Sequence, residues 1–253
     1  MDIATNKTAA VLIIGNEILS GRTKEANLNY IALALAKIGV SLTECRVVRD
    51  IEGEIIAAIN ALRVTYDYVF TTGGIGTTHD DITAACVAKA FDVPLVTNLK
   101  ALSLLEDRYQ SHLGPGARKM AVIPEGADLI ENPVTIAPGF YMENVFVMAG
   151  VPAIAQAMFD DVVTKITHGK PVISETVTCH LPESYISQGL AQLQDTHPNL
   201  DIGSYPRWTA TGFDLNLVIR GIDRAHVTAA HEDVKRFVEA RTHEFEQLHI
   251  SQG

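Results

Sequence analysis

The feature that most constrains this chain is the alternation of apolar runs with amphipathic segments along its first third. The apolar runs predict strands at Thr8–Ile14, 42–48 and Tyr68–Thr72. The amphipathic segments predict helices at about 24–38, 52–62 and 84–91. A strand–helix order with short loops predicts a largely parallel sheet with helices on both faces. We therefore expect an α/β fold that binds its ligand at the carboxyl edge of the sheet.

Polar residues follow each of these strands. Asn16 and Glu17 follow the first strand, Asp50 follows the second, and Asp80 and Asp81 lie beyond the third. Because the carboxyl ends of parallel strands meet at one sheet edge, these side chains are expected to converge. Taken alone, Asp50 reads better as a cap of the next helix.

A glycine-rich stretch follows the third strand and contains Gly73, Gly74 and Gly76. Such a loop lets the backbone approach a ligand and presents N–H groups to a phosphate. Asp80 or Asp81 is placed to cap the helix that follows. Two carboxylates beside a phosphate site also suggest a divalent metal. The stretch matches neither the dinucleotide nor the P-loop pattern, and glycine clusters often only make turns.

The middle of the chain repeats the strand–glycine–helix arrangement. A helix is predicted at 99–109, a break at 114–116, and strands at 128–130 and 144–148; segment 117–122 is ambiguous. Gly150 and Pro152 then precede a helix at about 153–166. Proline suits a first helical turn, so this is a second candidate anion site.

Residues 168–171 are the best domain boundary, which divides the chain into domains 1–168 and 169–253. Beyond it we predict strands at 172–179, near 200–205 and at 214–220, with helices at 183–193 and 225–248. This order predicts a small α+β domain.

Composition excludes several functions. A net charge of −10 without a basic stripe argues against nucleic acid. The chain has no apolar run of roughly 18 residues and its N-terminus lacks a signal-peptide layout, which predicts no membrane and a cytoplasmic location. Cys45, Cys86 and Cys179 form no CxxC pair, so neither a zinc site nor a disulfide framework is expected.

Several spaced motifs stand out in this chain: residues 15–19 with Gly21 and Asn27, 47–50, 73–83, 132–133 with 137–140, and 150–152. Together they resemble the CinA N-terminal family of the MoaB/Mog molybdopterin-binding superfamily. The motifs occur in the family's order from Gly15 to Pro152. One departure is Thr77, which stands where the family usually has proline.

The resemblance implies a three-layer α/β/α fold of the MoaB/Mog type, with its ligand at the glycine loop. It associates Asp50 and Asp81 with the chemistry, to which we add Glu17 as a candidate general base and Asp80 as a metal ligand with the other two aspartates. The expected ligand-binding residues are Asn16, Asn27, Gly73, Gly74, Gly76, Thr77, Thr78, Pro138, Gly139, Gly150 and Pro152.

The family resemblance also implies a function. Its CinA branch, and the similar domain of eukaryotic FAD synthase, are linked to hydrolysis of nucleotide pyrophosphates such as ADP-ribose or FAD. We therefore expect a pyrophosphatase that uses Mg²⁺, Mn²⁺ or Co²⁺. The alternatives are molybdopterin binding or adenylyl transfer in molybdenum cofactor biosynthesis, and a non-catalytic regulatory module. A homo-oligomer, with a dimer favoured, is expected on family grounds. The length leaves no room for the amidohydrolase domain of full-length CinA, so deamidation is not expected.

Overall fold

The computed structural model describes residues 6–209 and 212–250. Residues 1–5, on which the signal-peptide prediction partly rests, lie outside this part. The chain forms two compact units, Met1–Gly169 and Lys170–Gly253.

The large unit is built on a six-stranded sheet with the order β2-β1-β3-β8-β7-β6. Its strands are β1 (Thr8–Ile14), β2 (Ser41–Val48), β3 (Tyr68–Thr72), β6 (Asp128–Ile130), β7 (Gly139–Met142) and β8 (Val145–Met148). The first three and β8 run parallel. Strand β7 pairs antiparallel with both β8 and β6. Glu143, with φ of 50°, lies in the turn that reverses the chain between β7 and β8. The largely parallel sheet is confirmed.

Seven α-helices accompany these strands in the described part of this unit. They are α1 (Asn16–Leu19), α2 (Asn27–Lys37), α3 (Glu52–Arg63), α4 (Thr83–Ala90), α5 (Leu99–Tyr109), α6 (Pro115–Lys119) and α7 (Pro152–Lys165). The predicted loop after β1 contains the short α1. The predicted break at 114–116 instead starts α6, because Pro115 occupies its first turn, where a missing N–H costs nothing.

Helices cover both faces of the sheet. On β1, Ala10, Leu12 and Ile14 pack in one core with residues of α3 and α4. Their neighbours Ala9, Val11 and Ile13 pack in a second core with residues of α2 and α7. Since successive side chains of a strand point to opposite faces, this alternation confirms the three-layer α/β/α fold.

The segment between α4 and β6 forms a small substructure. Strands β4 (Leu95–Thr97) and β5 (Val122–Pro124) pair antiparallel around α5 and α6. Ala101, Leu105 and Ala121 form its own buried cluster. Neither strand was predicted, and β5 begins at the end of the segment 117–122 that the sequence left ambiguous.

The small unit has an antiparallel sheet in the order β10-β11-β9 and two helices. Its elements are β9 (Ile173–Cys179), α8 (Glu183–Thr196), β10 (Asp201–Thr209), β11 (Gly212–Gly221) and α9 (Arg224–Ile250). Leu215, Leu217 and Ile219 of β11 are buried with Val227 and Val234 of α9. The predicted small α+β fold is confirmed. Within residues 6–209 and 212–250, every helix is too short or too polar to cross a membrane.

Candidate functional site

The loops after β1 and β2 are joined at the carboxyl edge of the sheet. The backbone N–H of Asn16 donates to Asp50 Oδ2 at 2.8 Å. The N-cap of α3 is Ile51, without a side-chain cap. The reading of Asp50 as a helix cap is therefore wrong, because its carboxylate is directed at the neighbouring loop.

The loops after β1, β3 and β8 also meet, at Gly73. Its φ is 104°, and a Cβ there would lie 2.1 Å from the carbonyl oxygen of Ile14. Its carbonyl accepts a hydrogen bond from Thr83 Oγ1 at 3.0 Å, and its N–H donates to Met148 O at 3.1 Å. A Cβ on Gly150 would lie 3.4 Å from the Cα of Gly73. Only glycine satisfies the backbone conformation and the close approach at Gly73.

Asn27 links this junction to helix α2. Its Nδ2 donates to the carbonyl oxygen of Gly150 at 2.8 Å. The side chain is buried, and among the residues that the structure describes its Oδ1 has no hydrogen-bond partner. Pro152 starts α7 two residues later. The predicted ligand residues Asn27, Gly73, Gly150 and Pro152 thus belong to one part of the sheet edge.

Asp80 and Asp81 fold back on the glycine loop through Thr78. Asp81 Oδ2 accepts from Thr78 N at 2.8 Å and from Thr78 Oγ1 at 2.6 Å. The same hydroxyl contacts Asp80, and this hydrogen bond holds the pKa of Asp80 below its ordinary value. The N-cap of α4 is Ile82, which makes no side-chain cap. The predicted capping of α4 by either aspartate is wrong, since both carboxylates are used inside the loop.

A cavity of about 140 Å³ lies beside this cluster. Gly74, Gly76, Asp81 and Pro138 of the predicted site line it. Its other walls are largely apolar and include Ile75, Ile82, Leu95, Val122, Ile123 and Phe140. The carboxylate of Asp81 lies over Gly76, where a Cβ would stand 2.7 Å from Oδ2.

Other predicted residues lie outside the cavity wall. Gly139 is buried in β7, where a Cβ would meet Val147 O at 2.5 Å. The carboxylate of Glu17 folds back over Gly15, 2.5 Å from the position of a Cβ there. The carbonyl oxygen of Thr77 lies 3.0 Å from the point where a Cβ on Gly116 would stand. The structure therefore divides the predicted set between the cavity and the sheet edge.

The carboxylates offer a cation few protein ligands. In the described ranges, no three His, Cys, Asp or Glu side chains come together as a metal-binding group. Asp80 and Asp81 form a pair through Thr78, whereas Asp50 bonds the loop after β1. A pair suits Mg²⁺, which binds one or two carboxylates and completes its shell with phosphates and water.

Two residues of this region were not among the predicted site residues. Lys119 of α6 lines the cavity, and its Nζ donates to Thr78 O at 2.6 Å. Asn132 is buried and shapes the loop before β7, because its Nδ2 donates to Thr135 Oγ1 and to Ala137 O at 2.6 and 2.7 Å. Asn132 stood in a recognised motif, but a single lysine in an ambiguous segment carried no signal.

Comparison with known proteins adds the family. Residues 10–169 match the model described as "Probable molybdopterin binding domain", and residues 171–245 match "FAD synthase, middle domain". A protein of Archaeoglobus fulgidus is 33% identical over 197 residues, which cover 78% of this chain and 85% of that protein.

Two relatives carry informative names. A "CinA-like protein" of Gloeobacter violaceus is 36% identical over 160 residues, covering 60% of this chain and 38% of that protein. A "Probable FAD synthase" of Caenorhabditis elegans is 30% identical over 240 residues, covering 84% of this chain and 46% of that protein.

Among solved structures, CinA from Thermoplasma acidophilum, a protein of unknown function, is similar, with a TM-score of 0.60 and 34% identity. The match covers 64% of this chain and 98% of that one. The chain thus belongs to the molybdopterin-binding domain family, as a CinA-type member of the MoaB/Mog superfamily.

Proposed function

We propose that this protein is a metal-dependent nucleotide pyrophosphatase that acts on ADP-ribose or FAD-like dinucleotides. The observation that carries the proposal is the position of the Asp81 carboxylate over Gly76, at the wall of the cavity beside the glycine loop. A carboxylate next to glycine backbone is the arrangement that phosphate and a divalent cation share. The relatives named as FAD synthases support a nucleotide ligand.

In this proposal the protein holds the pyrophosphate between the glycine loop and the Asp80–Asp81 pair. Backbone N–H groups of the loop bind phosphate oxygens, and the apolar walls accept the flat base. Asp80 and Asp81 would hold the cation, with Asp50 proposed as a further ligand. When bound, the cation neutralises phosphate charge and lowers the pKa of a water.

Hydrolysis then needs a base and a bound water. The water oxygen bonds to one phosphorus while the bond from that phosphorus to the bridging oxygen breaks. The proton of the water passes to a base, for which Glu17 is the candidate, and two phosphomonoesters leave. The proposal assigns the remaining ligand residues to orienting the nucleotide: Asn16, Asn27, Thr77, Thr78, Pro138, Gly139, Gly150 and Pro152.

The test is a screen of ADP-ribose, FAD and related dinucleotides with Mg²⁺, Mn²⁺ or Co²⁺, read by product chromatography. We expect Asp81→Asn to lower the cleavage rate about a hundredfold or more, since it removes the charge and keeps an acceptor for Thr78. Asp107→Asn, an exposed position on α5, makes the same charge change away from the site. Intact dinucleotides with every metal, or equal rates for the two variants, would contradict the proposal.

The second candidate is molybdopterin binding, with or without adenylyl transfer. The observation in its favour is the apolar wall of the cavity, which suits a flat pterin ring beside a phosphate site. Pterin fluorescence in the purified protein, without dinucleotide cleavage, would favour it. Asp50→Asn and Asp81→Asn variants that keep full cellular function would instead favour a non-catalytic module.

We also propose that the protein is a cytoplasmic dimer. The edge strand β10 of the small unit exposes 82% of Trp208 and 45% of Tyr205, a surface that a second copy would cover. Light scattering on the purified chain measures its molar mass and so distinguishes a dimer from a monomer.

A further inference from the structure

One charged side chain at the cavity takes no part in the mechanism above. Of the residues that line the cavity, Lys119 and Asp81 carry charge. Lys119 is solvent-accessible, and its ammonium group donates to a neutral acceptor, Thr78 O, at 2.6 Å. An ammonium group has three N–H donors, so this bond leaves donors for a ligand.

Other cations of the large unit are used differently from Lys119. Its neighbour Arg118 pairs with Glu106 at 3.2 Å, and Lys89 of α4 pairs with Glu52 at 2.6 Å. In the described part of the chain, no carboxylate lies within 4.0 Å of the Lys119 nitrogen as an ion pair. Its charge therefore has no ion-pair partner in that part of the chain. It acts on Asp80 only at longer range, since the pKa of that carboxyl is lowered first by the Thr78 hydrogen bond and only in a minor way by Lys119.

Lys119 is held in position by a packed segment of the chain. Helix α6 ends at this residue, and Ala121, two residues later, is fully buried against Ala101 and Leu105. The N–H of Asn98 also donates to Ala121 O at 2.8 Å. Earlier in α6, a Cβ on Gly116 would lie 3.0 Å from Thr77 O. The lysine is thus carried on a packed segment against the carbonyl side of the glycine loop.

We propose that Lys119 is the anion-binding residue of this cavity and holds a phosphate group of a nucleoside diphosphate against the glycine loop. This inference rests on the proposed function for its ligand class. Lysine serves as a point charge for phosphate, and its charge-assisted hydrogen bonds are stronger than neutral ones. Asp81 lines the same cavity, so the lysine offsets the repulsion between that carboxylate and the phosphate.

The experiment measures ADP and adenosine binding by calorimetry, on the full chain, in EDTA and in Mg²⁺. We expect Lys119→Met to weaken ADP binding about tenfold, the effect of one charged hydrogen bond. Adenosine binding should be unchanged, because it carries no phosphate. Lys119→Arg should restore most of the ADP affinity. Arg118→Met is the matched control, with the same charge change one residue away, and should bind ADP as the wild type does.

Several outcomes would overturn the inference. The first is that Lys119→Met binds ADP as tightly as the wild type, and the second is that Arg118→Met loses as much ADP affinity as Lys119→Met. The third is that Lys119→Met loses as much affinity for adenosine as for ADP, which is the mark of a merely structural role. The fourth is that the wild type does not bind ADP. Hydrolysis is scored separately. A wild type that binds ADP through Lys119 but cleaves no dinucleotide contradicts the proposed hydrolysis alone. Cleavage with the same KM in Lys119→Met contradicts the inference alone.

Discussion

At the scale of the residue, the site depends on contacts that leave no room for a side chain. Gly73 packs on the carbonyl oxygen of Ile14, and Gly76 lies under the Asp81 carboxylate. These close approaches bring loops from different strands together around the cavity. Asn27 adds a buried hydrogen bond from α2 to Gly150 O. Glycine and asparagine are therefore as important here as the acidic side chains.

Gly73→Ala should destabilise the protein by more than about 2 kcal/mol, because the backbone conformation is strained for alanine and the new methyl group meets Ile14 O. Gly53→Ala is the matched control. Gly53 lies exposed in α3 with no atom within 4 Å of a new Cβ, so this substitution should raise the free energy of unfolding by about 0.5–1 kcal/mol. Urea unfolding of both variants measures the difference. Equal free energies of unfolding for the two variants would contradict the close contact between Gly73 and Ile14.

At the scale of the element, strands β1 and β3 are joined at their amino ends as well as at the site. The carboxylate of Asp67, just before β3, accepts from Thr8 N at 2.8 Å and pairs with Lys7 at 2.7 Å. The hydrogen bond from Lys7, followed by that from Thr8 N, holds the pKa of Asp67 below its ordinary value. This ion pair ties the two central strands at the end opposite the cavity.

The lowered pKa of Asp67 predicts a pH dependence of stability. A carboxyl group with a depressed folded-state pKa stabilises the fold above its unfolded pKa, and this is lost as pH falls toward the folded pKa. Asp67→Asn should therefore lower the urea midpoint at pH 7, and its difference from the wild type should shrink below about pH 4. Asp107→Asn, which makes the same charge change at an exposed position of α5, is the control. A difference that stays constant with pH would contradict the role of this charge.

At the scale of the whole molecule, each unit has its own core. Leu217 is fully buried among residues of the small unit, and Leu35 is fully buried in the large one. The cavity and all the predicted site residues lie in the large unit. Binding chemistry and small-unit stability should therefore respond to different substitutions.

Leu217→Ala should lower the free energy of unfolding of the small unit by about 2–5 kcal/mol, the cost of a buried cavity. Its thermal transition should therefore move to a lower temperature. Leu35→Ala should lower the transition of the large unit by a similar amount. Differential scanning calorimetry, with ADP present to mark the large unit, assigns the transitions. If both variants shift a single common transition equally, the units unfold together and the prediction is wrong.

From the amino-acid sequence alone, the long elements and their order could be predicted. Long strands such as β1 and helices such as α3 show their period over seven or more residues, so local pattern was enough to predict them. The glycine loop and the aspartates were recognised as candidates because they follow predicted strands, and through the resemblance to the CinA family. The shorter elements β4, β5, β7, α1 and α6 were not predicted.

The arrangement of the candidate residues could be seen only in the folded protein. Asp50 and Asp81 were each compatible with helix capping, and hydrogen bonds to Asn16 and Thr78 direct them elsewhere. Lys119 became part of the cavity because α6 packs against the glycine loop, about forty residues away along the chain. Long-range packing depends on loop paths that local propensity does not encode, so a lysine without a motif could be found only in three dimensions.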